Sequence, residues 1–399
     1  MKTVFGKLPG SSATVRVDFG ELIQNVDDVI TRAEAEAVSE YISPGFIDIQ
    51  VNGFAGVDFN NPGTPHEDLR KALRQMARTG VTRCLPTVIT GPAEQMSGAL
   101  RNLASAKEAW QQQRVAEGSM FAAFHMEGPH ISPEDGPRGA HPKEHVRPPD
   151  TEEFDRMQEA ALGHIRLVTV SPEWPKTPRY IGHLIRQGVV ASIGHTKATA
   201  DQIQAAVDAG ASVSTHLGNG AHATLPKTQN YIWEQLANDK LTAGFIADGI
   251  HLPDAFFRAA VRAKGLERCL LITDAVAPAL CRPGRYQLGG MAVDLRADGR
   301  VVLQDTERLA GSSLRMDRAI ENTIRIIGTS LQETLALATS HPARAARIAG
   351  RLRGLSPGEK ADFVRFLWDP SSRKMNVVET IVAGETISFE AADEIAASL

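Results

Sequence analysis

The chain has 399 residues, 42% of them hydrophobic, with 43 lysines and arginines against 47 aspartates and glutamates. That length supports a sizeable core, and a net charge of −4 excludes a polybasic binder of nucleic acid or of a membrane surface. No apolar run approaches the roughly 18 residues that cross a bilayer. Residues 1–10 lack the apolar stretch of a secretory signal. Cys84, Cys269 and Cys281 are odd in number and too widely spaced for a disulfide framework or a zinc knuckle. A soluble, cytoplasmic, reduced protein is expected.

Short β-branched runs alternate with helical patterns along the chain. Residues 13–19 (ATVRVDF) read as an early strand. Residues 41–50 (YISPGFIDIQ) open the main series. A helical pattern at 67–78 follows and stops at Gly80, a plausible C-cap. Strand patterns recur at 83–89, where Pro86 weakens the signal, and at 120–126, 165–170, 189–193, 211–215, 242–246 and 269–273. Helical patterns lie between them, at 92–114, 151–162, 200–209 and 253–263, with one more at 317–327. Asp150 is placed to cap the helix it precedes. Residues 128–149 form a Gly/Pro-rich loop of a length that in compact enzymes is functional or disordered. Eight strand–helix units predict a closed (β/α)8 barrel, a TIM-type α/β fold, over residues 44–353. An open doubly wound sheet lacks support, because no G-x-G-x-x-G or G-x-x-x-x-G-K-[ST] is present. Further strand patterns at 362–367 and 375–387 pair with the N-terminal one. Neither end is large enough alone, so residues 1–43 and 354–399 are expected to form one small β-sandwich-like domain.

Barrels of this kind place their chemistry where strands end. The residues there are Gln50 and Asn52 after the first strand, Glu127 after the third, Glu173 after the fourth, His195 after the fifth and His216 after the sixth. Asp248 and His251 follow the seventh strand and Asp274 the eighth. Two imidazoles and a carboxylate converging on one point make a catalytic divalent-metal site with a position left for water. Such a metal brings the pKa of water to roughly 7. Asp274 faces that water and can carry its proton to a leaving amine. Each residue has a structural alternative: a satisfied histidine after a strand, a turn cap for Glu127, a helix N-cap for Asp274. Glu173 and Asp248 are given structural places only.

Seven segments occur in order: PGFIDIQVNG (44–53), HMEGPHIS (125–132), GHT (194–196), THLGN (215–219), DGIHLP (248–253), TDA (273–275) and LAGSS (309–313). With these the chain, over residues 41–370, resembles the N-acetylglucosamine-6-phosphate deacetylases of the amidohydrolase superfamily. The first segment is common to the superfamily, and the second and fifth are specific to the deacetylases. The resemblance implies that Glu127, His195 and His216 hold one divalent metal, zinc or iron, and that Asp274 is the general acid and base. It implies substrate contacts from His141, from Asn219 and Gly220 around the phosphate, from His251, and from Ala310 within LAGSS. It also implies a cytoplasmic homodimer with a basic residue near the subunit contact completing the phosphate site.

Two departures stand out. Most amidohydrolases carry His-x-His after the first strand, and this chain has Gln50-Val51-Asn52. Amides are poor ligands for zinc or ferrous iron, so one metal is expected rather than two. After His216 the family reads Tyr-Asn-Ala-Met and then Arg-Glu-Pro, where this chain has Gly218-Asn219-Gly220-Ala221-His222 and then Leu225-Pro226-Lys227. Lys227 falls near the place of the phosphate arginine, as a point charge without the bidentate fork. Tyr231 and Trp233 lie close by, as walls of the sugar pocket or as residues of a subunit contact. The function expected is hydrolysis of an N-acetylated amino sugar phosphate. The alternatives are deacylation of an N-acyl sugar or N-acyl amino acid without phosphate, and a non-catalytic metal-binding protein.

Overall fold

The computed structural model describes residues 1–29 and 37–387. Eight parallel strands form the central sheet: Phe46–Val51, Val81–Ile89, Phe124–Glu127, Ile165–Val170, Val190–Ile193, Val213–Ser214, Thr242–Ile246 and Cys269–Ile272. Each pairs with the next in chain order. The ring closes just beyond the eighth strand. There Asp274 N donates to Gln50 O (2.9 Å), Asn52 N donates to Ala275 O (2.7 Å), and Val51 bridges Ala275 in parallel. All eight expected strands are present, and the continuous apolar runs are buried on both faces, as parallel strands require. Pro86 sits inside the second strand, beside a break in its register with the first.

The helices expected at 67–78, 92–114, 151–162, 200–209, 253–263 and 317–327 are His66–Ala77, Ala93–Gln112, Thr151–Ala160, Ala200–Asp208, Asp254–Lys264 and Met316–Ile327. Asp150 caps the third of these by accepting from Glu152 N and Glu153 N. Helices Thr177–Arg186, Tyr231–Ala237 and Leu331–Ala338 were not legible. Nor was an antiparallel sheet of Gly284–Leu288, Met291–Leu295 and Val301–Leu303, which follows the eighth strand.

The run at 41–50, read as one strand, is two. Tyr41–Pro44 belongs to another sheet and Phe46–Val51 to the barrel. Gly45 is the crossing point, where a Cβ would lie 2.1 Å from Thr82 Cγ2, so no other residue passes there. Tyr41–Pro44 joins Lys2–Lys7, Thr14–Phe19, Ile23–Asp28, Phe363–Asp369, Lys374–Val382 and Glu385–Thr386 in one seven-stranded sheet drawn from both chain ends. That sheet has a small core of its own, including Val17, Phe19, Ile42 and Phe363. Residues 30–36 and 388–399, within the ends assigned to this region, lie outside the described residues. A buried ionic joint ties sheet to barrel: Arg83 Nε (2.6 Å) and Arg351 Nη1 (3.0 Å) both donate to Asp362 Oδ2.

Candidate active site

Four strand ends deliver the central side chains. Glu127 is the last residue of the third strand, and His195, His216 and Asp274 follow the fifth, sixth and eighth by two residues each. The three that follow have left-handed backbone, with φ of +48° at His195, +28° at His216 and +50° at Asp274. Such conformations cost about 1–3 kcal/mol each and persist where the surroundings enforce them. Here the backbone around each is bonded across the barrel end: Ser132 N to His195 O (2.8 Å), Leu217 N to Gly244 O (2.8 Å) and Asp274 N to Gln50 O (2.9 Å). The kinks turn the side chains inward.

The donor atoms converge. His216 Nε2 lies 3.0 Å from Glu127 Oε1 and 3.0 Å from His195 Nε2, and His195 Nε2 lies 3.3 Å from Glu127 Oε1. All three residues are buried. His195 Nδ1 is 2.8 Å from Pro137 O. A carbonyl only accepts, so Nδ1 carries the proton and Nε2 presents its lone pair, the usual orientation of a metal-bound histidine. His216 Nδ1 has no partner among the described residues. Gly220 packs against this assembly. A Cβ there would stand 2.7 Å from His195 Nδ1, and its φ of +57° also favours glycine. A His₂Glu set with one lone pair already oriented fits a divalent ion of the zinc or ferrous type. His141 stands beside it, since donor atoms of Glu127, His141 and His195 all lie within 4.8 Å of one another.

The amides occupy the positions of the missing histidines. Gln50 Nε2 donates to Glu127 Oε1 (2.8 Å) and to Asp274 Oδ1 (3.3 Å), and Asn52 Nδ2 donates to Asp274 Oδ1 (2.8 Å). The two carboxylates are thus held by N–H donors, and Asp274 Oδ2 remains without a partner among the described residues. Burial, with added repulsion from Glu127, pushes the Asp274 carboxyl up to about 6. Burial would likewise raise Glu127, but hydrogen bonding and charge from His195 and His216 hold it well below the usual carboxylate range. Burial pushes His141 down to about 3, leaving it a neutral imidazole.

These groups line a cavity of about 330 Å³. His141, Asn219, Gly220 and His251 line it as expected. His251 is fixed by Asp248, whose Oδ2 is 2.6 Å from His251 Nδ1, so Asp248 has an orienting place. Glu173 has structural partners, Ser132 Oγ, Ser171 Oγ and Lys197 N. Two of the expected contact residues stand outside the lining of this chain's cavity. Lys227 is exposed and does not line the cavity, because its loop runs outward before the helix Tyr231–Ala237. Ala310 is buried against Val276 and Leu288, its N–H donating to Val301 O (3.0 Å), and its neighbours Leu309 and Gly311 line the cavity instead. Trp233 is exposed and Tyr231 is buried with its hydroxyl on His222, so neither walls this cavity. Arg308, Leu288 and Met291 line it without having been foreseen. The one available signal was that Arg308 immediately precedes LAGSS.

The amidohydrolase family model matches residues 41–387. The chain belongs to the amidohydrolase family. It is a metal-dependent hydrolase of that family, and its relatives narrow the branch. This amidohydrolase is 33% identical over 370 residues to the N-acetylgalactosamine-6-phosphate deacetylase of Escherichia coli O157:H7, covering 91% of this chain and 93% of that one. It is 32% identical over 333 residues to the N-acetylglucosamine-6-phosphate deacetylase of Bacillus subtilis (strain 168), covering 84% and 81%. Its fold matches a mutant of the N-acetyl-D-glucosamine-6-phosphate deacetylase of Mycobacterium smegmatis in complex with N-acetyl-D-glucosamine-6-phosphate. That match has a TM-score of 0.85 and 27% identity, over 97% of this chain and 100% of that chain.

Proposed function

We propose that this amidohydrolase removes the acetyl group from N-acetylglucosamine 6-phosphate, or from its galactose epimer, with one zinc or ferrous ion, as a cytoplasmic homodimer. The observation that carries the reading is the meeting of Glu127, His195 and His216 within 3.3 Å, with Asp274 lining the same cavity. The names of the relatives support the substrate, and three unpaired cysteines agree with a reducing compartment. When bound by Glu127 Oε1, His195 Nε2 and His216 Nε2, the ion supplies an acidified water and an electrophile for the acetamide carbonyl.

The chain's own residues do the rest. Asp274 takes the proton of the attacking water on Oδ2 while Gln50 and Asn52 hold Oδ1. It then delivers that proton to the amine as the C–N bond breaks, giving acetate and the free amino sugar. Thr90 Oγ1 lies 2.9 Å from His141 Nδ1. With that hydroxyl donating, the imidazole proton sits on Nε2 and can be offered to the oxygen on which charge develops. Asn219, Gly220 and His251 lie on the substrate side of the cavity.

Lys227, a point charge without an arginine's bidentate fork, favours a second reading, the same hydrolysis on a sugar without phosphate. Acetate release from N-acetylglucosamine with and without the 6-phosphate, on protein of measured metal content, separates the two. A higher kcat/KM on the phosphorylated sugar at about one metal per chain upholds the first reading. Equal rates would favour the second, and two metals per chain would overturn the single-ion site.

A further inference from the structure

His216 faces two cavities. One is the large cavity of the active site, and the other, of about 10 Å³, lies inside the barrel among its strands. The small one stands at the lower end of the roughly 10–15 Å³ that a single water needs, and such a space takes water only where polar groups await it. Ser214 and His216 both line it, and Ser214 Oγ and His216 Nδ1 are buried without a partner among the described residues. Ser214 ends the sixth strand two positions before His216, and residues two apart on a strand share a face. The neighbouring polar side chains are already occupied. Ser192 Oγ and Thr215 Oγ1 bond each other (2.5 Å), and Thr169 Oγ1 bonds both Thr215 Oγ1 (2.7 Å) and His125 Nε2 (2.7 Å). Gln50 Nε2 is spent on Glu127 and Asp274.

The two histidine ligands differ in their support. His195 Nδ1 donates to Pro137 O (2.8 Å), which leaves its Nε2 lone pair for the metal. His216 bound through Nε2 carries its remaining proton on Nδ1, and that N–H has no acceptor among the described residues. A buried donor left unpaired is costly. Ligating histidines almost always give their second N–H to a carboxylate, a carbonyl or a water. Here a water is the acceptor that the small cavity can hold. It would accept from His216 Nδ1–H and donate to Ser214 Oγ, satisfying both unpartnered atoms at once.

We propose that one buried water bridges His216 Nδ1 and Ser214 Oγ, and that Ser214 is a positioning residue for the metal through that water. The proposal rests on the metal-site reading above and is independent of which sugar is cleaved. A high-resolution crystal structure of the zinc-loaded protein should show one water within hydrogen-bond distance of both atoms. Zinc affinity is then measured by chelator competition on wild type, Ser214→Val, Ser214→Ala and Leu167→Met. Ser214→Val, whose methyl groups take the water's place, should weaken zinc binding about 10- to 100-fold. Ser214→Ala should weaken it less, because it leaves the water its room. Leu167→Met, which alters an apolar wall of the same cavity at nearly constant volume, should stay within about threefold of wild type. In cobalt-loaded protein, the ring N–H resonance of His216 should move in Ser214→Val while that of His195 stays. If Ser214→Val fails to fold, Ser214→Ala and the wild-type density carry the test. No water between the two atoms, wild-type zinc affinity in Ser214→Val, or an equal loss in Leu167→Met would overturn the proposal. If the zinc-loaded protein releases acetate from no sugar, the deacetylase reading fails, and these measurements still judge the water. If the protein binds no divalent ion, the metal-site reading fails. Metal-free crystals then decide, a water between the two atoms upholding the site and none refuting it.

Discussion

The floor and the mouth of the cavity are built from different material. The floor consists of side chains at the ends of barrel strands: Glu127, His195, His216 and Asp274, with Gln50 and Asn52 between the carboxylates. All are buried and bonded to one another or to backbone. The mouth comes from connections: Gly136 and Gly139 from the long loop after the third strand, Ala221 and His222 after the sixth, Leu288 and Met291 from the antiparallel sheet, and Arg308 beyond it, while His141 and Gly220 reach from two of these loops down to the floor. The closed barrel fixes the floor by its register, while the mouth can change without disturbing the register. Chemistry should therefore reside below and selection above. Floor substitutions should lower turnover on every N-acetyl sugar alike, and mouth substitutions should change which sugar is preferred.

The largest departure is expected from His216→Ala, which should remove both the bound metal and all measurable turnover. Elemental analysis beside the acetate assay checks it, and a variant with full metal and activity would break the division. A smaller effect is expected from Gly220→Ala, whose Cβ would push on the His195 ring from 2.7 Å. Disturbing the support of a ligating histidine lowers activity or metal affinity by about 10- to 100-fold, and the loss should fall equally on phosphorylated and unphosphorylated sugar. A loss confined to one of them would assign Gly220 to the mouth alone.

The smallest effect on catalysis, with a readout in stability, concerns Asp48 beneath the floor. Its carboxyl is fully buried, which pushes it up to about 7 against hydrogen bonds from Thr273 and Gln50. A folded-state pKa above the unfolded one means the folded protein favours the protonated acid. Its contribution is complete below about pH 4 and is lost as pH rises through about 7, by at most about 4 kcal/mol. Asp48→Asn should flatten the decline of Tm between pH 5 and pH 8 relative to wild type, and parallel profiles would contradict the burial argument.

How much was legible in the sequence follows the same division. The eight strands declared themselves because buried parallel strands are continuous apolar runs, and the floor residues followed from standing directly after them. The split at Gly45 was missed because 41–50 is apolar on both sides of it. Whether such a run crosses between sheets depends on how closely Thr82 approaches. The antiparallel sheet was missed because its strands are short and broken by polar residues and turns, although Leu288, Val293, Leu295 and Val301 are buried in a cluster of their own. Without that sheet Arg308 had no location. Motif spacing carried Lys227 to its loop but not to its exposed position outside this chain's cavity. Gln50 and Asn52 were read only as poor ligands. That Gln50 bridges Glu127 and Asp274, with Asn52 on Asp274 alone, follows from the closure of the barrel, which sequence spacing does not carry.

The central claim is that Asp274 moves the proton while Glu127, His195 and His216 hold the metal. Turnover of metal-loaded Asp274→Asn on N-acetylglucosamine 6-phosphate, measured with its metal content, tests this directly. The account expects turnover lower by about 10²- to 10⁴-fold with the metal retained. Near-normal turnover in that variant would contradict it.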